Sequence, residues 1–128
     1  MREEIYTELI MEHYKRPRNF GKIKKPDVTY YDTNSLCGDE IEIYVKFSGK
    51  KINDIRFTGH GCAISQASAS MITEFIKGKD FEFIKNLNKD DVLNLLGIDL
   101  SPMRLKCALL PLKAVKMAVY SHLSKDQK

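Results

Sequence analysis

Three cysteines, Cys37, Cys62 and Cys107, lie in the segments NSLCGDE, TGHGCAIS and RLKCALL, each with a glycine, a proline or the start of an ordered element close by. Widely separated thiols that a fold can gather are the raw material of a metal site. Asp39, two residues after the first cysteine, would complete a donor set of three sulfurs and one oxygen. Such a set suits tetrahedral zinc, with metal–sulfur distances near ~2.3 Å, and equally the thiolate-rich surroundings of iron–sulfur clusters. A permanent electron-transfer cluster more often has four cysteines, so a harder carboxylate ligand points to a metal or cluster that must leave.

Thiolate, not thiol, binds soft metals, and nearby positive potential favours the anion. Cys62 precedes the helical pattern 64–76, and Cys107 stands near the start of the last helical pattern beside Arg104 and Lys106, so both are expected at positive helix ends. Gly38, Gly59 and Gly61 flank the ligands, where they let the backbone turn sharply and leave space over a metal. Singly, a cysteine is commonly a small buried hydrophobe, and Asp39 could serve only to stabilise a turn. The joint pattern carries the reading. His60, two residues before Cys62, is read as a surface loop histidine competing weakly as a ligand, and His13 and His122 as packing or capping residues on helix faces.

The elements that must position these residues follow from periodicity. Ile5, Leu9 and His13, with Tyr6 and Ile10 beside them, recur at helical spacing over 3–14 until Pro17 stops the pattern. Residues 28–32 are β-branched and aromatic, and Ile41, Ile43, Val45 and Phe47 alternate with Glu42, Tyr44 and Lys46. A turn at 48–51 leads into a further extended stretch, 52–58. Ile64, Ala67, Ser68, Met71, Ile72 and Phe75 then mark one helix face before Gly78, and 81–87 and 90–96 read as short helices. Leu105, Leu109, Leu112, Val115 and Val119 form a last stripe. Pro111 is expected in the first turn of that helix, which would start the regular helix a little after Cys107. The expected class is α+β: a small antiparallel sheet packed by helices, with an N-terminal helix and a long C-terminal helix.

A chain of 128 residues with 43% hydrophobic content suits one core, so a single domain is expected, with an N-terminal helix and basic connector (1–26), a sheet (27–60) and a helical part (61–124). No stretch reaches the ~18 apolar residues of a membrane span, and the charged start MREEIYTELI is no signal peptide. The expected location is the cytoplasm, where thiols stay free. The net charge of +4 is spread out apart from KRPRNFGKIKK, residues 15–25, which is read as a solvated face. The absence of paired CxxC spacing and of aromatic–basic interleaving argues against a nucleic-acid partner.

Across nearly its whole length the chain resembles the U-type iron–sulfur cluster assembly proteins, the NifU N-terminal, IscU and SufU family. HYKRPRNFG at 13–21 is similar to that family's HYxxPRNxG segment, and NSLCGDE, GCAISQASAS and RLKC follow in the family's order. The resemblance implies that Cys37, Asp39, Cys62 and Cys107 form the metal or cluster site. It implies a scaffold that receives sulfur from a cysteine desulfurase, assembles a labile [2Fe-2S] cluster and passes it to apo iron–sulfur proteins. IscU members carry a histidine before the third cysteine, whereas this chain has Lys106, as SufU members do. A protonated lysine offers no lone pair, which makes Asp39 the fourth ligand. The segment 100–104 matches only loosely the LPPVK segment that IscU proteins offer to a dedicated chaperone, so dependence on that chaperone is not implied. The chain also lacks the helical insertion of SufU proteins between the second and third cysteines. The alternative reading is a zinc-bearing sulfurtransferase partner of the SufU type. In the scaffold role Cys107, beside two cations and at an accessible helix start, is the expected first persulfide acceptor.

Overall fold

A computed structural model describes residues 2–126 of the chain. Helix α1, Arg2–Lys15, ends where Pro17 cannot continue it. Its inward stripe is Tyr6, Ile10 and His13; Ile5 and Leu9, expected on that stripe, are exposed. The connector after it is not a free basic arm. Asn19 adopts φ 62°, a left-handed conformation that asparagine tolerates, and its carbonyl accepts from Phe57 N while Gly21 N donates to Phe57 O. Its two arginines are drawn into ion pairs, Arg16 with Glu12 and Arg18 with Glu12 and Glu74.

Three antiparallel strands follow in the order β1-β2-β3: β1 Val28–Asn34, β2 Asp39–Ser48 and β3 Lys51–His60. The β1–β2 register runs from Val28 opposite Val45 to Asn34 opposite Asp39, which leaves a four-residue loop, 35–38, carrying Cys37. On β2 the core-facing positions are Ile41, Ile43 and Val45, and the same alternation carried back by two reaches Asp39. A carboxylate therefore occupies an inward register position at the end of an apolar row. The β2–β3 pairing shifts at Lys46/Phe47, a bulge near the hairpin turn.

Four helices follow, α2 Ala63–Ile76, α3 Phe81–Lys85, α4 Lys89–Leu96 and α5 Pro102–Asp126. Of these, α2 and α5 pack on the sheet. Short polar caps set the boundaries: Asp80 accepts from Phe83 N to start α3, Asn88 and Asp91 form a reciprocal capping box at α4, and Gly97 closes α4 in the left-handed region. The Tyr6 ring lies where a Gly97 β-carbon would be, which seats α1 against the end of α4. The helix pair α2 and α5 packs closely, and Ser68 Oγ donates to the Ala108 carbonyl at 2.6 Å. No helix among the described residues is long and apolar enough to cross a membrane.

The last helix departs from expectation. Pro102 takes its first position, where a missing N–H is no loss, and Pro111 lies inside it, so Cys107 sits in the second turn rather than ahead of the regular helix. Pro111 withholds the amide that the carbonyl four residues earlier, that of Cys107, would normally accept. An interior proline costs ~3 kcal/mol. Burial of Leu110, Leu112, Val115 and Val119, at ~1.5–3 kcal/mol each, outweighs it. Tertiary packing, invisible in local pattern, decides the helix start.

Candidate metal centre

The four sequence-predicted residues come from four different elements. Cys37 lies in the β1–β2 loop, Asp39 opens β2, Cys62 precedes α2 and Cys107 sits in α5. The donor atoms of Cys37, Asp39 and Cys107 lie within 4.8 Å of one another. Cys62 stands at their edge, with its sulfur 4.0 Å from Asp39 Oδ2 and its amide donating to Asp39 Oδ1 at 2.8 Å. Among the described residues these three cysteines are free thiols, and the 2.7 Å between the Cys37 and Cys107 sulfurs exceeds the ~2.05 Å of a disulfide.

Each candidate ligand is held by its own backbone logic. Gly38 supplies φ 70° between Cys37 and Asp39, and Cys37 N donates to Asn34 O at 3.2 Å, closing the loop. Asp39 is locked in the ladder opposite Asn34, its carbonyl accepting from Thr33 Oγ1 at 2.9 Å. Cys62 is the N-cap of α2, and its sulfur accepts from Ser65 N at 3.4 Å, where the helix's positive end suits an anion. Cys107 is carried by α5 across the sheet and receives the Asn34 Nδ2–H at 3.8 Å.

Two expectations about access do not hold. Gly59 and Gly61 were expected to leave open space, but a β-carbon at Gly59 would overlap the Glu40 carbonyl and one at Gly61 would overlap Asp39 Oδ1. These glycines permit close approach. Asp39 is 0% exposed and Cys107 2%, so Cys107 is neither at a helix start nor accessible. Burial, then hydrogen bonding with Cys37 and Asp39, pushes the Cys107 thiol well above its ordinary range, the opposite of the activation expected from Arg104 and Lys106. Cys37 and Cys62 are half-buried, and Leu36 on the outer loop is 67% exposed, so the open side of the site is the 35–38 loop.

His60 pairs with Glu40 at 2.8 Å at the end of β3, outside the donor cluster. His13 is buried on α1. Ser70 Oγ accepts the Arg18 N–H at 2.7 Å and is hydrogen-bonded to His13 Nδ1, also at 2.7 Å. Burial and the neighbouring Arg18 charge hold the His13 pKa below the ordinary value. His122 packs against Phe47, ring centroids 4.1 Å apart. Asn34 is a residue that sequence reasoning missed; an asparagine three places before a loop cysteine reads only as a turn former.

The donor set itself decides what the site can hold. Thiol sulfurs with one carboxylate oxygen, gathered in a largely buried pocket, match zinc or an iron–sulfur unit and exclude hard ions that prefer oxygen alone. The chemistry and fold meet in comparisons with known proteins. A family model described as the NifU-like N terminal domain matches residues 5–128. The zinc-dependent sulfurtransferase SufU of Bacillus subtilis is 37% identical over 134 positions, covering 91% of this chain and 90% of the relative. That alignment is longer than the 128-residue chain, so the relative carries residues absent here. The iron–sulfur cluster assembly scaffold protein IscU 1 of Archaeoglobus fulgidus is 35% identical, covering 97% of this chain and 80% of the relative. A crystal structure from Fervidobacterium islandicum AW-1, titled as a candidate iron–sulfur cluster assembly scaffold for the SUF system, superposes with a TM-score of 0.77 at 36% identity, covering 93% and 99%.

The fold is thus that of the iron–sulfur cluster assembly proteins. The chain belongs to the NifU-like N-terminal domain family, together with relatives named IscU and SufU.

Proposed function

We propose that this protein is a scaffold on which a [2Fe-2S] cluster is assembled by Cys37, Asp39, Cys62 and Cys107 and from which it is handed to apo iron–sulfur proteins. The observation that carries this reading is Asp39: a carboxylate in an inward strand position, fully buried, beside the thiols of Cys37 and Cys107. A carboxylate oxygen is a harder and weaker donor to such a unit than a thiolate, so this ligand favours release. The sulfur donor is a cysteine desulfurase, and Cys107 is the acceptor. Its thiolate attacks the outer sulfur of the donor's persulfide, the donor's S–S bond breaks, the donor cysteine leaves as thiolate, and Cys107 carries the new persulfide. An electron pair from a separate reductant then converts that sulfur to sulfide. Because Cys107 is buried beneath Cys37, the step requires the 35–38 loop to lift in the donor's grip. The three free thiols suit a reducing cytoplasm.

A second reading has its own support: Lys106 before the third cysteine and the likeness to a zinc-dependent sulfurtransferase. In it zinc would hold the thiolates until the desulfurase displaces one, and no cluster forms.

Iron, sulfide, zinc and persulfide are measured in anaerobically purified wild type and Asp39→Ala after incubation with desulfurase, cysteine and ferrous iron. Equal iron and sulfide, retained longer by Asp39→Ala, is the scaffold result. Persistent zinc with persulfide and no sulfide overturns it for the sulfurtransferase. Equal persulfide on Cys107→Ser and wild type removes Cys107 as acceptor.

A further inference from the structure

Asn34, the last residue of β1, makes three contacts that meet at the site. Its carbonyl accepts Cys37 N at 3.2 Å, its Oδ1 accepts Leu36 N at 3.3 Å, and its Nδ2 lies 3.8 Å from Cys107 Sγ, 73 residues away in sequence. The first two form the turn that carries Cys37. The second also fixes the orientation of the amide: with Oδ1 engaged by the Leu36 N–H, the NH₂ group is the end that faces the sulfur. Asn34 lines the groove of about 270 Å³ that runs past Lys106 and Lys113. Since Cys107 is 2% exposed, bulk water cannot readily supply the donor in its place.

Resting on the metal-centre reading above, we propose that Asn34 is a positioning and tuning residue whose amide hydrogen-bonds to the Cys107 sulfur when that sulfur is ligated. Cys62 already has such a donor in Ser65 N. Asn34 gives the same treatment to the third ligand, whose own helix supplies none, because an N–H in the second turn of α5 is spent on the helix ladder. An N–H aimed at a thiolate withdraws electron density from it, holds the χ angle of the cysteine and lowers the energy of the sulfur lone pairs. The same side chain joins the loop of the first ligand to the sulfur of the third, so the two move together.

The test uses cobalt(II), whose thiolate charge-transfer band reads the sulfur directly, and zinc competition against a chromophoric chelator. Asn34→Asp is the informative variant. Its Oδ1 still accepts the Leu36 N–H, so the turn is kept, but the donor to sulfur is gone. The expected result is a wild-type circular dichroism spectrum, a charge-transfer band displaced to lower energy, and zinc held about 10- to 100-fold more weakly. Asn34→Ala, which also loses the turn acceptor, is expected to show the same band displacement. An unmoved band and unchanged zinc affinity in Asn34→Asp would overturn the proposal and leave Asn34 a turn residue, with the metal centre intact. Absence of any thiolate-to-cobalt band in wild type would instead remove the metal-centre reading, and this inference with it.

Discussion

The amide of Cys62 donates to Oδ1 of Asp39 at 2.8 Å, so two of the four candidate ligands are joined before any ion binds. The bond ties the N-cap of α2 to the first residue of β2. Asp39 thereby fixes where the helix begins and still offers Oδ2, 4.0 Å from the Cys62 sulfur, on the side of the thiols. What is held by neutral contacts alone is the pair of sulfurs from Cys37 and Cys107.

Metal removal should therefore be felt as stability. An ion that binds only the folded chain adds about 2.7 kcal/mol at a hundredfold excess over its dissociation constant. For a chain of this size that is roughly 10 °C in melting temperature. Differential scanning calorimetry of zinc-loaded and chelator-treated protein should show a drop of that order, and coincident transitions would contradict a metal-linked fold.

Cysteine reactivity should divide two to one. In metal-free protein at pH 8, Cys37 and Cys62 are expected to react with iodoacetamide at least ~10 times faster than Cys107, which is buried and whose thiol is pushed up by that burial. Peptide mapping of timed samples reads the order, and loss of the difference in urea serves as the control. Faster labelling of Cys107 would mean that the site opens on its own.

His13 gives the protein a pH-dependent element away from the thiols. Its folded pKa lies below the ordinary 6.5, so above 6.5 the neutral ring contributes its full share. As pH falls from there through the depressed folded value, the unfolded chain binds the proton first and that stability is lost. Urea denaturation from pH 7.5 downward should show a decline that is shallower in His13→Gln, and parallel curves would show that the buried ring does not titrate in this way.

Asn19 should be a strong point of the connector. Asn19→Ala removes the bond from Nδ2 to Thr73 and that from Lys77 to Oδ1, and places alanine at φ 62°. The expected loss is about 2 kcal/mol in urea denaturation. Asn19→Gly, which escapes the backbone strain, should lose about half as much, and equal losses would assign the whole effect to the side-chain bonds.

How much of this could be read from the residues alone differs from one to the next. Ile41, Ile43 and Val45 announce their face by alternation, and carrying the count back to 39 places the carboxylate inward. The expected strand began at Ile41 only because an aspartate after glycine looks like a turn. The α1 stripe was displaced by one position because Tyr6 and Ile10 share the spacing of Ile5 and Leu9, and only the Gly97 seat distinguishes them. Pro111 misled because a local rule about proline was outweighed by side chains that bury against the sheet. The burial of Cys107 and the role of Asn34 depend on contacts across 70 or more residues, which no local pattern encodes.

Gly61 carries one more implication, for how such a sequence can vary. Every replacement of a glycine brings in a β-carbon, and at this position that carbon would meet the carboxylate of Asp39. Drift at Gly61 is therefore closed unless Asp39 changes with it, yet Asp39 is a candidate ligand. The two positions, 22 apart in the chain (61 minus 39), are coupled in one direction, and a lineage that keeps the buried carboxylate must inherit the glycine along with it.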